Sequence, residues 1–183
     1  AAASQMPDGD EGFKAIAAAL FALPFLLFPS VAGFLSDRFS KRTVIVWAKV
    51  AEIVVMVLGG VAFFVGGGST GVLILAVVFL MGAQSAFFSP AKYGILPEIL
   101  PEGELSLGNG VLQMWTFLAV ILGSAVSGFL VHAFSDRLYL SSLVFIAIAV
   151  VGTLCSLFIM PTAPAGSTRK LELNVLSSVW KNI

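Results

Sequence analysis

The sequence has little charge, and its two signs balance. Only 11% of its 183 residues are Asp, Glu, Lys or Arg, with ten basic and ten acidic side chains, whereas an ordinary soluble domain has about 25% charged residues. A net charge of zero gives no field that would attract nucleic acid or a strongly charged partner. Together with 58% hydrophobic residues, this composition predicts a membrane protein.

Cysteine and histidine are equally scarce, with one of each, Cys155 and His132. A single cysteine cannot form an intrachain disulfide, and Cys155 lies in an apolar segment that favours a small buried hydrophobe. His132 precedes Asp136, but a zinc site needs more ligands than these two. No nucleophile has a recognisable base and orienting group. The sequence therefore predicts no enzyme active site, no metal site and no cofactor.

The long apolar segments are the dominant feature of the chain. A helix needs roughly 20 apolar residues to cross a hydrocarbon core of about 30 Å. Five segments meet this requirement, at about 14–35, 44–65, 70–91, 107–131 and 138–160. They predict an all-α membrane protein with five transmembrane helices. Pro24 and Pro29 are expected to bend the first span, and Pro90 to kink or break the third.

The orientation follows from lysine and arginine, which are retained on the cytoplasmic side. Alternate connections place seven on one face, Arg38, Lys41, Arg42, Lys92, Arg169, Lys170 and Lys181, and two on the other, Lys14 and Arg137. The first face is predicted to be cytoplasmic, with the N-terminus outside. The first twelve residues lack the basic and apolar regions of a signal peptide. Five spans that begin outside without such a signal, in a chain beginning with Ala, predict that a preceding helix is missing.

The chain is expected to divide at residue 160. Residues 1–160 form the helical bundle, and 161–183 form a cytoplasmic linker. Within the linker Val175, Leu176, Val179, Trp180 and Ile183 recur at helical spacing. This pattern predicts a short amphipathic helix on the membrane surface, with a plain inter-domain connection as the alternative.

Two charged residues lie inside the second span. Lys49 and Glu52 are three residues apart and share a helix face. Each alone costs about 2.5–3.5 kcal/mol near the bilayer centre, and pairing inside a bundle reduces this cost. The pair is interpreted as part of a substrate path. The alternative is an ion pair near the interface, with Lys49 extending to the cytoplasmic face.

Polar side chains also mark the third and fourth spans. Gln84, Lys92 and Tyr93 lie where the third span approaches the cytoplasmic face. Lys92 and Tyr93 are suited to a phosphate head group, although both residue types are also common interfacial anchors. Asn109 and Gln113 are four residues apart on the fourth span and share a face. Gly123, Ser127 and Gly128 follow there and predict a surface for close helix contact.

The short charged segment from Gly33 to Arg42, read as a tight turn at a membrane face, resembles a signature of the major facilitator superfamily. The signature is Gly-x-Leu-x-Asp-Arg/Lys-x-Gly-Arg/Lys-Arg/Lys, between the second and third helices. Matching positions are Gly33, Leu35, Asp37, Arg38, Lys41 and Arg42, and Ser40 replaces the usual glycine. The resemblance implies that the five spans are helices two to six of twelve. It also implies that Gly33, Asp37, Arg38, Lys41 and Arg42 form a cytoplasmic gate between rocking six-helix bundles. Ser40 puts the turn geometry in question, because glycine adopts positive φ more easily.

A narrower resemblance is to the bacterial lysophospholipid transporters. It rests on Ser89-Pro90-Ala91-Lys92-Tyr93-Gly94-Ile95-Leu96-Pro97-Glu98, on Asn109-Gly110 and on Ile121-Leu122-Gly123-Ser124. It implies transfer of lysophosphatidylethanolamine or related lipids to the inner leaflet of the bacterial inner membrane by alternating access. The residues expected to supply the substrate path are Lys49, Glu52, Gln84, Lys92, Tyr93, Asn109 and Gln113.

Two other functions stay open at this point. One is a small-solute transporter of the same superfamily, for a drug or a sugar. The other is a membrane module of a fused acyltransferase, since some relatives of the family carry one. Glycerophospholipid acyltransferases have four residues between a His and an Asp, whereas three separate His132 from Asp136. The expected partners are membrane lipids, a lysophospholipid, the remaining helices of the transporter and a fused or associated acyltransferase.

Overall fold

The computed structural model describes residues 7–66, 70–135 and 137–162. Within these ranges the regular structure is helical, which confirms the all-α prediction. The helices are α1 (Pro7–Leu27), α2 (Pro29–Arg38), α3 (Lys41–Val65), α4 (Thr70–Gly94), α5 (Leu96–Ile99), α6 (Leu105–Ala133) and α7 (Leu138–Leu157), and a 3₁₀ turn (Glu102–Glu104) precedes α6. Four helices in the described part are long and apolar enough to cross a bilayer, and α1 with α2 makes a fifth candidate span.

The first span is broken by a bend of 52° between α1 and α2. Pro29 is the first residue of α2, where its missing N–H removes no hydrogen bond that α2 requires. Pro29 also has no N–H to donate to a carbonyl oxygen in the last turn of α1, so α1 ends before it. Pro24 lies inside α1 without ending it. The predicted bend is therefore confirmed, and it is located at Pro29.

Helix α3 packs between α4 and α7, while α1 and α2 pack against α4. Small residues allow these close contacts. A Cβ added to Gly82 on α4 would overlap the carbonyl oxygen of Phe21 on α1, and one added to Gly60 on α3 would lie 3.2 Å from Cβ of Ser142 on α7. In lipid, where apolar burial gives little driving force, such backbone proximity supplies the packing attraction.

Helix α6 is different, because most of its side chains are exposed within the described structure. It contacts α5, the 3₁₀ turn and α7. A Cβ added to Gly123 or Gly128 would have nothing within 4 Å. The close contact predicted for these glycines is therefore not made by the described residues.

Four further expectations need correction or lie outside the described residues. Pro90 does not break the third span, since α4 continues through it to Gly94. Cys155 is exposed rather than buried within the described part of the chain. The helix predicted in the linker lies within residues 163–183, which the structure does not describe. Asp136, near His132 in the sequence, is also not described.

Candidate functional site

The charged segment is mostly helical rather than one long turn, which corrects the sequence interpretation. Gly33, Asp37 and Arg38 belong to α2, and α3 already begins at Lys41, so only Phe39 and Ser40 form the turn. Ser40 has φ −55° and accepts a hydrogen bond at 3.5 Å from the backbone N–H of Thr43. Serine is a favoured N-cap because its hydroxyl satisfies a free N–H of the first helical turn. Serine at position 40, in place of the usual glycine, is therefore compatible with this turn.

The basic residues of the segment have separate partners. The Arg38 guanidinium lies over the Phe34 ring, 5.7 Å from its centroid. Lys41 forms an ion pair with Glu98 of α5. Arg42 donates from Nη2 to the carbonyl oxygen of Leu157 at 2.8 Å, at the end of α7.

Asp37 forms no ion pair with the described basic residues. After the turn at Ser40, Lys41 bonds to Glu98 of α5 and Arg42 bonds to the carbonyl oxygen of Leu157 at the end of α7. The network that the resemblance implies between Asp37 and these residues is thus not formed in the described part of the chain. Their role as a gate stays a prediction.

A first polar cluster lies inside the apolar length of α3. Lys49 donates from Nζ to Oε2 of Glu52 at 2.6 Å, and each side chain is about a quarter exposed. Nζ also lies 5.6 Å from the centroid of the Phe88 ring on α4. Lys49 is eight residues after the start of α3, which places it about 12 Å along the helix. Its side chain reaches Glu52, which lies further along α3 from the α2–α3 turn.

The first polar cluster lines a cavity of about 200 Å³ between α3 and α4. Gln84 and Ser85 of α4 also face this cavity, and the Ser85 hydroxyl donates to Oε1 of Gln84 at 3.2 Å. The other walls are Val55, Met56, Met81 and Phe88. Half of the eight lining residues are therefore polar or charged, so the cavity offers hydrogen-bond donors and acceptors to a polar group.

A second polar cluster joins α4 to α6. Lys92 donates from Nζ to Oγ1 of Thr116 at 2.7 Å, and Thr116 donates to the carbonyl oxygen of Leu112 at 2.6 Å. The Tyr93 hydroxyl donates to Oε1 of Gln113 at 2.9 Å. The second polar cluster therefore places a cation and a phenol at one end of α4.

The structure thus groups most of the predicted path residues into two sets. Lys49, Glu52 and Gln84 belong to the first, and Lys92, Tyr93 and Gln113 to the second. Asn109 is exposed on α6 and belongs to neither. The described residues contain no group of three or more His, Cys, Asp or Glu that would hold a metal.

Sequence reasoning missed Ser85, Glu98 and Thr116. Thr116 had a usable signal, since it follows Gln113 by three residues and Asn109 by seven on the same helical face. Ser85 stands next to Gln84 and had no spacing signal of its own. Glu98 could not be paired with Lys41 from the sequence, because 57 residues separate them.

The family model of the Major Facilitator Superfamily matches residues 8–183. A protein named Lysophospholipid transporter LplT from Escherichia coli O1:K1 is 28% identical over 174 residues, covering 89% of this chain. A protein of the same name from Photorhabdus laumondii is 36% identical over 111 residues, covering 61% of this chain and 26% of its own length. The chain spans about 40% of the length of the Escherichia coli relative. No solved structure gives a significant match.

Proposed function

The chain belongs to the major facilitator superfamily, and we propose that it forms part of a transporter that moves lysophospholipids across the bacterial inner membrane. The substrate class is lysophosphatidylethanolamine and related single-chain lipids. The proposal includes alternating access around a site between two six-helix bundles, one of which contains this chain. The names of the Escherichia coli and Photorhabdus relatives support the substrate class.

The observation that carries the proposal is the ion pair of Lys49 and Glu52 beside a cavity inside an apolar span. Ionisable residues at membrane depth are costly and are retained mainly along substrate or ion paths. A phosphoethanolamine head group carries a phosphate and an ammonium. Lys49 offers a cation for the phosphate, and Glu52 offers a carboxylate for the ammonium. Gln84, on the opposite wall, offers an uncharged donor and acceptor.

The second polar cluster supports the same substrate class. Lys92 and Tyr93 lie in the last turn of α4, and the proposal puts that turn at the head-group level of the membrane. Both now donate to side chains of α6. We propose that a lipid phosphate replaces Thr116 and Gln113 as their acceptor when substrate passes. An acyltransferase, fused or associated, would then reacylate the transported lipid.

The test measures uptake of radiolabelled lysophosphatidylethanolamine by spheroplasts that contain the complete transporter. Lys49→Gln and Glu52→Gln each remove one charge of the first polar cluster. We expect each to reduce uptake by about tenfold or more, the equivalent of roughly 1.4 kcal/mol, because the remaining charge lacks its partner. The exchange variant Lys49→Glu with Glu52→Lys keeps the net charge and is expected to restore part of the uptake.

Arg137→Gln is the matched control, because it also removes one positive charge but lies in an exposed connection far along the chain. Its uptake should equal that of the unchanged protein. Uptake no higher than in empty spheroplasts would refute the lipid substrate. Loss of a sugar or drug flux in Lys92→Ala, with lipid uptake intact, would favour the small-solute transporter instead.

A further inference from the structure

The cavity of the first polar cluster, here called the polar cavity, has an apolar neighbour. A pocket of about 380 Å³ lies between α2, α3 and α4. Gln84 of α4 lines both the polar cavity and this apolar pocket. On α3, Ala48 and Ala51 line the apolar pocket, and each directly precedes a charged residue of the polar cavity, Lys49 or Glu52. The two spaces therefore adjoin each other along the contact of α3 with α4.

The walls of the apolar pocket suit a hydrocarbon chain. A polar group placed against them finds few hydrogen-bond partners. Two of the lining side chains, Phe39 and Trp47, are 48% and 69% exposed, so the pocket opens onto the surface of the described bundle. Six of the nine lining side chains carry no polar atom: Leu35, Phe39, Val44, Ala48, Ala51 and Phe87.

The polar cavity lies further along α3 than the apolar pocket. On this helix the lining of the pocket runs from Thr43 to Ala51, and that of the cavity from Lys49 to Met56. The centre of the second range is roughly five residues beyond that of the first, a rise of about 8 Å. The apolar pocket therefore extends from the polar cavity back toward the α2–α3 turn.

A lysophospholipid requires both kinds of surface at the same time. Its head group needs hydrogen-bond partners, whereas its chain needs apolar surroundings, since each methylene exposed to water lowers the occupancy of a site about fourfold. A polar cavity alone would leave the chain without a place. The adjoining apolar pocket provides one that is open to the surrounding lipid.

We propose that the apolar pocket binds the single acyl chain of the transported lysophospholipid while the head group occupies the polar cavity, with Gln84 at the junction. The inference rests on the proposed lipid substrate and deepens it by assigning the chain to α2, α3 and α4. The chain then points from the polar cavity toward the α2–α3 turn, which the basic residues predict on the cytoplasmic side. A lipid of the outer leaflet has its chain in this direction, so the site holds the substrate before it is turned over.

Photolabelling of the complete transporter in liposomes locates the chain. One lysophosphatidylethanolamine probe carries a diazirine at the end of its acyl chain, and a second carries it next to the glycerol. We expect the first probe to label α3 near Thr43 and the second to label it near Ala51. An excess of unlabelled lysophosphatidylethanolamine should reduce both labels about tenfold by mass action. Glycerophosphoethanolamine, which has the head group without the chain, should not.

A variant that fills the apolar pocket separates a bound chain from general contact with lipid. Ala51→Leu should reduce the displaceable labelling about fourfold, the effect of displacing one methylene from apolar contact. It should also reduce uptake of the palmitoyl lipid more than that of the lauroyl lipid. Ala147→Leu, at an exposed position on α7, is the matched control and should change neither. Circular dichroism of each variant establishes that the helices are retained.

Labelling of α3 that excess lysophosphatidylethanolamine does not reduce would overturn the inference, because any lipid in contact with the bundle gives such labels. Equal displacement by two-chain phosphatidylethanolamine, labels in the reverse order along α3, or an equal effect of Ala51→Leu on both chain lengths would also overturn it. Failure of the proposed function has a different signature, namely no uptake of lysophosphatidylethanolamine by the unchanged protein.

Discussion

Helices α3 and α6 are both long and apolar, yet the described structure covers them very differently. In the most apolar 18-residue stretch of each, 17% of the residues are buried in α3, against 6% in the segment Glu102–Ala133 that contains α6. On α3, Gly60 meets Ser142 of α7 closely, whereas Gly123 on α6 meets nothing. Glycine on a helix face therefore permits close packing without causing it. A facing helix with a matching small residue is also required.

The two polar clusters follow the same division. The first lies in the packed part, where α3 and α4 already hold its residues together. The second joins α4 to α6. Its hydrogen bonds run from Lys92 and Tyr93 on α4 to side chains of α6, and the two helices have few other contacts. Changes in the first polar cluster should therefore affect function more than the fold. Changes in the second should also alter how α6 is held.

The largest difference in stability should separate a glycine substitution at the α1–α4 contact from one on the exposed face of α6. Gly82→Ala inserts a methyl group against the backbone of Phe21, so α1 and α4 must separate. We expect a loss of about 1–3 kcal/mol in the free energy of unfolding, as for overpacked cores. Gly123→Ala meets open space and should stabilise α6 by up to about 1 kcal/mol through helix propensity. Unfolding titrations in sodium dodecyl sulfate measure both.

This comparison fails if Gly123→Ala destabilises the protein as much as Gly82→Ala. That result would mean that α6 is covered as tightly as α4. Gly110→Ala, at another glycine of α6 with open space around it, provides a second measurement on the same helix.

An intermediate effect is expected at the boundary with α6. Tyr93→Phe removes the hydrogen bond to Gln113, which is worth about 0.5–1.5 kcal/mol. Amide hydrogen exchange near Gln113 should become about fivefold faster. Tyr139→Phe is the matched control, since the Tyr139 ring packs edge-on against Phe64 and the ring is kept. Equal exchange in both variants would show that α6 is held by other contacts.

The smallest effect should come from restoring glycine in the turn. Ser40→Gly removes the hydroxyl that caps α3, but glycine is itself tolerated at N-caps, so the loss should be a few tenths of a kcal/mol. Ser40→Ala should cost about 1 kcal/mol. Thermal unfolding of the two variants tests this order. Equal stabilities of the two variants would mean that the hydroxyl does not act as a cap.

The features that the sequence predicted correctly depend on residues close together in the chain. The spans follow from apolar length, the bend from Pro29, and the pairing of Lys49 with Glu52 from a spacing of three. These follow from the geometry of a single helix. Residues Gly33 to Arg38 were assigned to a turn because charged residues are typical of loops, yet helix α2 continues through them to Arg38.

Contacts between helices were not predictable in the same way. Lys92 meets Thr116, 24 residues further on, and Lys41 meets Glu98. Which residues meet depends on how each helix is rotated about its axis, and packing against neighbours sets this rotation. The effect of Pro90 on its helix was also not predictable from the sequence alone. Its ring removes one hydrogen bond, but the tightly packed α4 continues past it.

The hydrogen bonds at the start of α3 also set an order of events during synthesis. Arg42 donates to Leu157, and the Ser40 hydroxyl lies 3.1 Å from that of Thr162, across separations of 115 and 122 residues. At about 5–20 residues per second, the ribosome needs on the order of ten seconds to make the intervening chain. During that interval Arg42 must be solvated by water or by lipid phosphate. The three-helix unit of α3, α4 and α7 can therefore close only after its last helix has been made.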